Sequence, residues 1–235
     1  MTEELFREDA YLSRCQATVT AVDARGIGLD RTVFYYTGGG QPGDSGVLQC
    51  ADGREIAIID CIKDPGTGAQ WHLPADSVPR PPVAERIVAE IDWTRRHRHM
   101  RMHTCLHLLS ALVAGKITGA ALTDSKARID LDLPDPLDKD RLQAALDRVI
   151  AEDRAVRALW ISDEELAARP DLVRTMTVQP PAGRGRVRLI EVEGVDLQPC
   201  GGTHVRSTGE IGAVLIGKID KKGRHNRRIN VRFVD

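Results

Sequence analysis

Two short motifs constrain the fold of this chain more than anything else in it: His103-Thr104-Cys105-Leu106-His107 and Cys200-Gly201-Gly202-Thr203-His204. On a helix, the i, i+4 spacing projects His103 and His107 from one face. Cys200 and His204 bracket two glycines, which suits a tight turn whose backbone can approach a ligand closely. Three imidazoles and a thiolate form the mixed N/S donor set that Zn2+ prefers in tetrahedral geometry. A fold that uses all four must bring a helix and a distant turn together inside one domain. A zinc finger or ribbon would need close pairs on a short module, and this separation excludes it. A zincin protease would need glutamate directly after its first histidine, and Thr104 stands there instead. Each half alone reads equally well as a surface helix or an ordinary turn; together they favour one Zn2+ per chain. Four protein ligands close a tetrahedral site, the structural pattern, whereas a catalytic site keeps one position open. The sequence leaves open whether the metal acts in the chemical step or only shapes a pocket.

A length of 235 residues accommodates one large domain or two small ones. The composition, 42% hydrophobic and 29% charged, is that of a soluble globular protein. The acidic start, MTEELFREDA, is unlike a secretory signal or a basic transit peptide. The longest apolar stretch, around Leu106–Ala114, is too short to span a bilayer, so no membrane is expected. Five scattered cysteines argue against a disulfide framework and for a reducing cytoplasm.

Net charge is only −1, but basic residues cluster. Lys218, Lys221, Lys222, Arg224, Arg227, Arg228 and Arg232 crowd one stretch against the single acid Asp220. Arg95, Arg96, Arg98 and Arg101 directly precede the histidine pair. Either run could be a plain solvated face. Two of them flanking one candidate metal site point to a polyanion that must reach the metal. With nine aromatic residues in all, a base-stacking platform is not expected.

The first ninety residues read as short strands punctuated by Gly, Pro and Asp, at the spacing of a small barrel or sandwich. Candidate strands are Gln16–Val22, Ile27–Leu29, Thr32–Tyr36, Gly46–Gln49, Glu55–Ile62, Gln70–Leu73 and Val83–Ile91, with Ser77–Pro82 as a stiff loop. After Trp93 the periodicity becomes helical over His103–Gly115 and Leu137–Asp153, and Ser162–Ala168 opens with a capping box. Strands are expected at Val187–Val192, Ile211–Lys218 and Ile229–Val234. The expectation is an α+β protein: a β-barrel domain over residues 1–90 and a zinc-binding domain over 91–235 with a largely antiparallel sheet.

Between the candidate strands lies Thr37–Gly46, TGGGQPGDSG, with five glycines and a proline in ten residues. Its backbone can approach a ligand, and Gln41 and Asp44 are its strongly polar side chains. It lacks the Gly-Lys-Ser/Thr ending of a phosphate loop, and a plain hairpin turn is the alternative.

Taken together and in this order, YYTGGGQPGDSG, RMHTCLHLL and CGGTHV resemble the alanyl-tRNA editing proteins, free-standing relatives of the editing domain of alanyl-tRNA synthetase. The opening TEELFREDAYL is similar to the medium-length members, which carry a small β-barrel before an editing domain of the threonyl/alanyl-tRNA synthetase type. The resemblance implies that His103, His107, Cys200 and His204 hold zinc and that Gln41 takes part in editing. One departure is Tyr36, where proline is the family's residue; Cys105 reads as a core thiol. The implied reaction is hydrolysis of the ester joining serine, or glycine, to alanine tRNA, without ATP. A synthetase pocket cannot strongly reject an analogue that differs by one hydroxyl or one methyl, so a second sieve is needed. Thr37, Gln41 and Thr203 are candidates for the seryl hydroxyl contact, with Gly39 and Gly40 lining the same pocket. Arg95, Arg96, Arg98, Lys218, Lys221, Lys222, Arg224, Arg227 and Arg228 are candidates for tRNA phosphates. Two other readings remain: an RNA-binding module with a structural zinc, and a zinc hydrolase of a small ester or amide. Oligomeric state is open.

Overall fold

The structure, a computed structural model, describes residues 2–75, 79–176 and 185–234. The chain forms two compact units, Met1–His97 and Arg98–Asp235. Of the expected Ser77–Pro82 loop, residues 77 and 78 lie outside the described residues.

Unit 1 contains β1 (Glu3–Glu4), β2 (Arg14–Asp23), β3 (Gly26–Leu29), β4 (Arg31–Thr32), β5 (Gly46–Cys50), β6 (Glu55–Lys63), β7 (Gln70–Pro74) and β8 (Arg86–Ile91). Six of them close a barrel in the order β2-β3-β7-β6-β5-β8, which leaves no free sheet edge. Alternation supplies the core: Ala17 and Val19, Leu48 and Cys50, Ile56 and Ile58, then Ile87, Ala89 and Ile91 all point inward. In β6 a register shift between Ile58 and Asp60 resets the alternation, so Cys61 is buried while Ile59 is 58% exposed.

The expected strand Thr32–Tyr36 ends at Thr32. Side chains beyond that point take the backbone donors a ladder would use. Phe34 N donates to Thr32 Oγ1 (3.0 Å) and Tyr35 N donates to Asp44 Oδ2 (2.6 Å).

Helix α1 (Trp93–Leu112) begins ten residues before the histidine pair. Asp92 starts it, its Oδ1 accepting from Arg95 N at 3.0 Å. Unit 2 continues with β9 (Lys116–Leu122), β10 (Lys126–Asp132), α2 (Lys139–Ala151), β11 (Val156–Ser162), α3 (Asp163–Ala167), β12 (Arg186–Val192), β13 (Asp196–Pro199), β14 (Val214–Lys221) and β15 (Asn226–Phe233). These strands form two antiparallel sheets, β14-β15-β10-β9 and β11-β12-β13. In β15, Ile229, Val231 and Phe233 are buried, the first two opposite Ile129 and Ala127 of the adjacent β10. Helix α2 is capped by Asp138 and buries Leu142, Leu146 and Val149. Its Gln143 accepts from Ile216 N at 2.7 Å and donates to Val214 O at 3.0 Å, tying the helix to β14. The capping box at α3 forms between Ser162 and Glu165. The expected strand start at Ile211 moves to Val214, because a short 3-10 turn covers Thr208–Ile211 and Gly212 follows with φ +70°. The architecture is α+β. No helix among the described residues is long and apolar enough to cross a membrane.

Candidate metal centre

Unit 2 brings His103, His107, Cys200 and His204 together, with one potential ligand atom from each lying within 4.8 Å of all the others. Helix α1 supplies the first two; the turn after β13 supplies the others. Cys200 Sγ lies 3.6 Å from His103 Nε2 and 3.3 Å from His204 Nε2. Tetrahedral Zn2+ with bonds of ~2.0–2.3 Å has edges of roughly 3.3–3.8 Å, so these two separations fit the ion. The three imidazoles are 5–7% exposed. Arg188 of β12 holds the turn, donating from one nitrogen to Cys200 O (2.9 Å) and Gly202 O (2.8 Å). Gly202 N points at the sulfur from 3.4 Å.

The electrostatics favour ligation at Cys200 and His204 and oppose it at His107. Burial opposes a thiolate at Cys200, but His103 and His204 outweigh it and the thiol titrates well below its usual range. Burial, with His103 beside it, holds His204 well below the ordinary histidine value. Burial opposes charge on His107 too, yet Asp196 and Cys200 raise it to about 9. A metal must therefore displace a proton from that ring.

A second group, Cys50, Asp52 and Glu85 in unit 1, has a weaker donor set. Burial, then Glu85, pushes the Cys50 thiol up, and Asp52 is committed to Arg54 at 2.6 Å.

Thr104, Asp196, Gln198 and Ser110 surround the cluster, and motif reading missed all four in this role. Thr104 registered only as the place where a protease has glutamate. Asp196 and Gln198 carried a signal: polar residues two apart in a strand share a face, and both are buried here. Thr203, between the ligating positions, is fully buried.

The Gly-rich segment belongs to unit 1. Gly38 and Gln41 exchange both backbone hydrogen bonds at 3.0 Å around Gly39 (φ +59°) and Gly40 (φ +82°). Two successive positive φ values explain the glycine pair. Gln41 is fully buried. The Thr37 hydroxyl donates to Asp60 Oδ1 (3.1 Å) and accepts from Gly43 N (2.8 Å), so it holds the loop's shape.

The basic set divides. Arg96, a phosphate candidate by sequence, cannot reach a phosphate: it is fully buried, paired with Asp44, and donates to Ala10 O (2.9 Å) and Val33 O (2.6 Å). Arg227, the other buried phosphate candidate, is 7% exposed with its guanidinium on Pro134 O. Arg228 makes a two-pronged pair with Asp130 at 2.6 and 2.8 Å. Arg95 is half-buried, with one nitrogen 3.4 Å from Gly43 O. Arg98 stacks on Phe233 at 4.7 Å. Lys218, Lys221, Lys222 and Arg224 are exposed on the β14–β15 hairpin, although Lys218 sits 3.0 Å from Asp220.

The threonyl and alanyl tRNA synthetase second additional domain family matches residues 187–230, which include the Cys200–His204 turn. A Methanosarcina acetivorans protein named alanyl-tRNA editing protein AlaX-M is 35% identical, with 100% of both chains covered. The AlaX-M protein of Saccharolobus solfataricus is 31% identical over 97% of this chain and 98% of its own. The alanine–tRNA ligase of Pyrobaculum neutrophilum is 35% identical across 94% of this chain, which corresponds to 25% of that longer enzyme. Matched from end to end at this level, the chain belongs to the AlaX-M family of alanyl-tRNA editing proteins.

Proposed function

We propose that this chain is a trans-acting deacylase that hydrolyses the ester of serine, or of glycine, wrongly attached to alanine tRNA. The observation that carries the reading is the end-to-end likeness to proteins named for alanyl-tRNA editing, in a chain that gathers a buried Cys/His3 cluster. His103, His107, Cys200 and His204 would hold one Zn2+. When bound, that ion supplies a positive charge that polarises the ester carbonyl or acidifies a water.

The remaining chemistry belongs to the protein. Burial of the three imidazoles excludes bulk water and strengthens every charge interaction around the cluster. Gln41 is the Gly-rich loop's candidate for a role in editing, beside Thr37, Gly39 and Gly40, and Thr203 is the candidate from the Cys200–His204 turn. A pocket built to hydrogen-bond the seryl hydroxyl penalises alanyl ester by leaving buried polar groups unpaired. Phosphates of the tRNA are proposed to meet the exposed residues Lys218, Lys221, Lys222 and Arg224, with Arg95, Arg98 and Arg228 in lesser roles because other groups engage them. We place the protein in the cytoplasm, where charged tRNA is found.

The test is release of labelled serine from Ser-tRNA(Ala), with Ala-tRNA(Ala) and chelator-treated protein alongside. Loss of serine, sparing of alanine and collapse without metal are expected. Serine that stays attached while tRNA still binds would replace this reading with that of an RNA-binding module.

A further inference from the structure

We infer that Asp196 and Thr104 are positioning residues that fix the ring orientation and the proton location of two candidate metal ligands, His107 and His204. The inference rests on the metal reading above and goes past the four ligands to what aims them.

Counting hydrogens around His107 decides where its proton lies. Nδ1 is 3.2 Å from Asp196 Oδ2 and 3.1 Å from Gln198 Nε2. The Gln198 amide has two hydrogens, and both have acceptors: Asp196 Oδ2 at 2.7 Å and Ser110 Oγ at 3.1 Å. Ser110 is free to accept because it donates its own proton to His107 O at 2.8 Å. Turning the amide over would set its oxygen against the Asp196 carboxylate. With both Gln198 hydrogens engaged, the His107–Asp196 contact needs its proton on Nδ1. In the neutral ring that a metal binds, Nε2 is then left with the lone pair. Arg174 steadies the other carboxylate oxygen from 3.5 Å.

His204 is set by the same logic from the opposite side. The Thr104 hydroxyl donates to Met100 O at 3.0 Å, so toward its other neighbours it can only accept. Those neighbours are His204 Nδ1 at 3.1 Å and Val205 N at 3.3 Å. His204 therefore carries its proton on Nδ1 and presents a bare Nε2, the atom 3.3 Å from Cys200 Sγ. Thr104 is fully buried, Gln198 is 4% exposed and Asp196 is 5% exposed, so water cannot substitute for any of them.

The aiming is reciprocal. A ligand on α1, His107, is oriented from β13, and a ligand in the turn after β13, His204, is oriented from α1. Hydrogen-bonded partners of this kind raise ligand basicity and fix the tautomer, and their loss typically costs about 10–100-fold in metal affinity.

The experiment compares the full chain with Asp196→Ala, Asp196→Asn, Thr104→Val and Thr104→Ser. Zinc affinity is read by competition with a chromogenic chelator, and ring N–H signals are read by 15N NMR of the zinc-loaded protein. The wild type is expected to show slowly exchanging Nδ1–H signals from both rings. Asp196→Ala should lose the His107 signal and bind zinc about 10–100-fold more weakly, with Asp196→Asn between it and the wild type. Thr104→Val should lose the His204 signal alone, with a similar loss of affinity, and Thr104→Ser should restore both. If Asp196→Ala does not fold, the near-isosteric Thr104 pair carries the test. Variants that keep both signals and wild-type affinity would overturn the inference and leave the metal reading standing. A wild type that binds no zinc would overturn the metal reading itself.

Discussion

Arg96 and His72 show how a residue's environment, more than its type, sets its role. Arg96 lies in a basic run yet is fully buried against Asp44. Removing one partner of such a pair strands the other charge in a medium that cannot solvate it. Arg96→Leu should therefore lower unfolding stability by about 3–5 kcal/mol, measured by urea denaturation. His72 is buried and neutral: its Nδ1 donates to Ile27 O (2.9 Å), leaving Nε2 to accept from Thr32 Oγ1 (2.8 Å). Burial, opposed by the bond to Ile27, lowers its pKa to about 4. The unfolded chain protonates this ring first as pH falls, so its contribution is complete above pH ~6.5 and is lost progressively down to pH ~4. That window should take up to about 3 kcal/mol. Denaturant titrations between pH 7 and pH 4 on wild type and His72→Gln check this; a variant with an unchanged pH slope would refute it.

At the scale of elements, some of the fold was legible and some was not, for identifiable reasons. The barrel strands were readable because an apolar residue every second position is a direct image of one buried face. The first half of α1 was not, because Arg96 and His99 share its buried positions with Met100 and Met102, and a helix that buries polar groups has no clean apolar stripe. Strand β9, KITGAAL, was missed because small residues and a glycine carry little strand preference. The metal motifs stood out because ligand chemistry demands residue types that packing does not. Phosphate-binding residues were legible only as a cluster, since charge counting cannot separate buried from exposed. The β14–β15 hairpin retains the exposed members, of which Lys218 pairs with Asp220 and Lys221, Lys222 and Arg224 are the ones to test. Changing each to Gln should weaken tRNA binding and reduce the slope of log K against log salt by about 1 for every phosphate that is no longer neutralised. Zinc content and urea stability should stay within experimental error of wild type. An unchanged salt slope in the triple variant would move the tRNA surface elsewhere.

For the whole molecule, the metal cluster and the barrel core should respond differently to loss of metal. Unit 1 has a core of its own strands, from Val19 and Ile27 through Leu48 and Ile58 to Ile87. Unit 2 joins α1 to a turn nearly a hundred positions away through His103, His107, Cys200 and His204. An ion that binds only the folded state stabilises it by RT ln(1 + [L]/Kd), about 4 kcal/mol at a thousandfold excess over Kd. With a chelator, unit 2 should therefore melt earlier by on the order of 10 °C, while unit 1 is little changed. A single two-state description then fails, and calorimetry should resolve two transitions where zinc-loaded protein gives closer or merged ones. Hydrogen exchange assigns them: amides of α1 and β13 should lose protection in chelator, and those of β5 and β6 should not. Equal loss of protection in both sets would mean that the two cores unfold as one cooperative block. The metal would then stabilise the entire chain, and the separate response argued from the barrel's own core would be wrong.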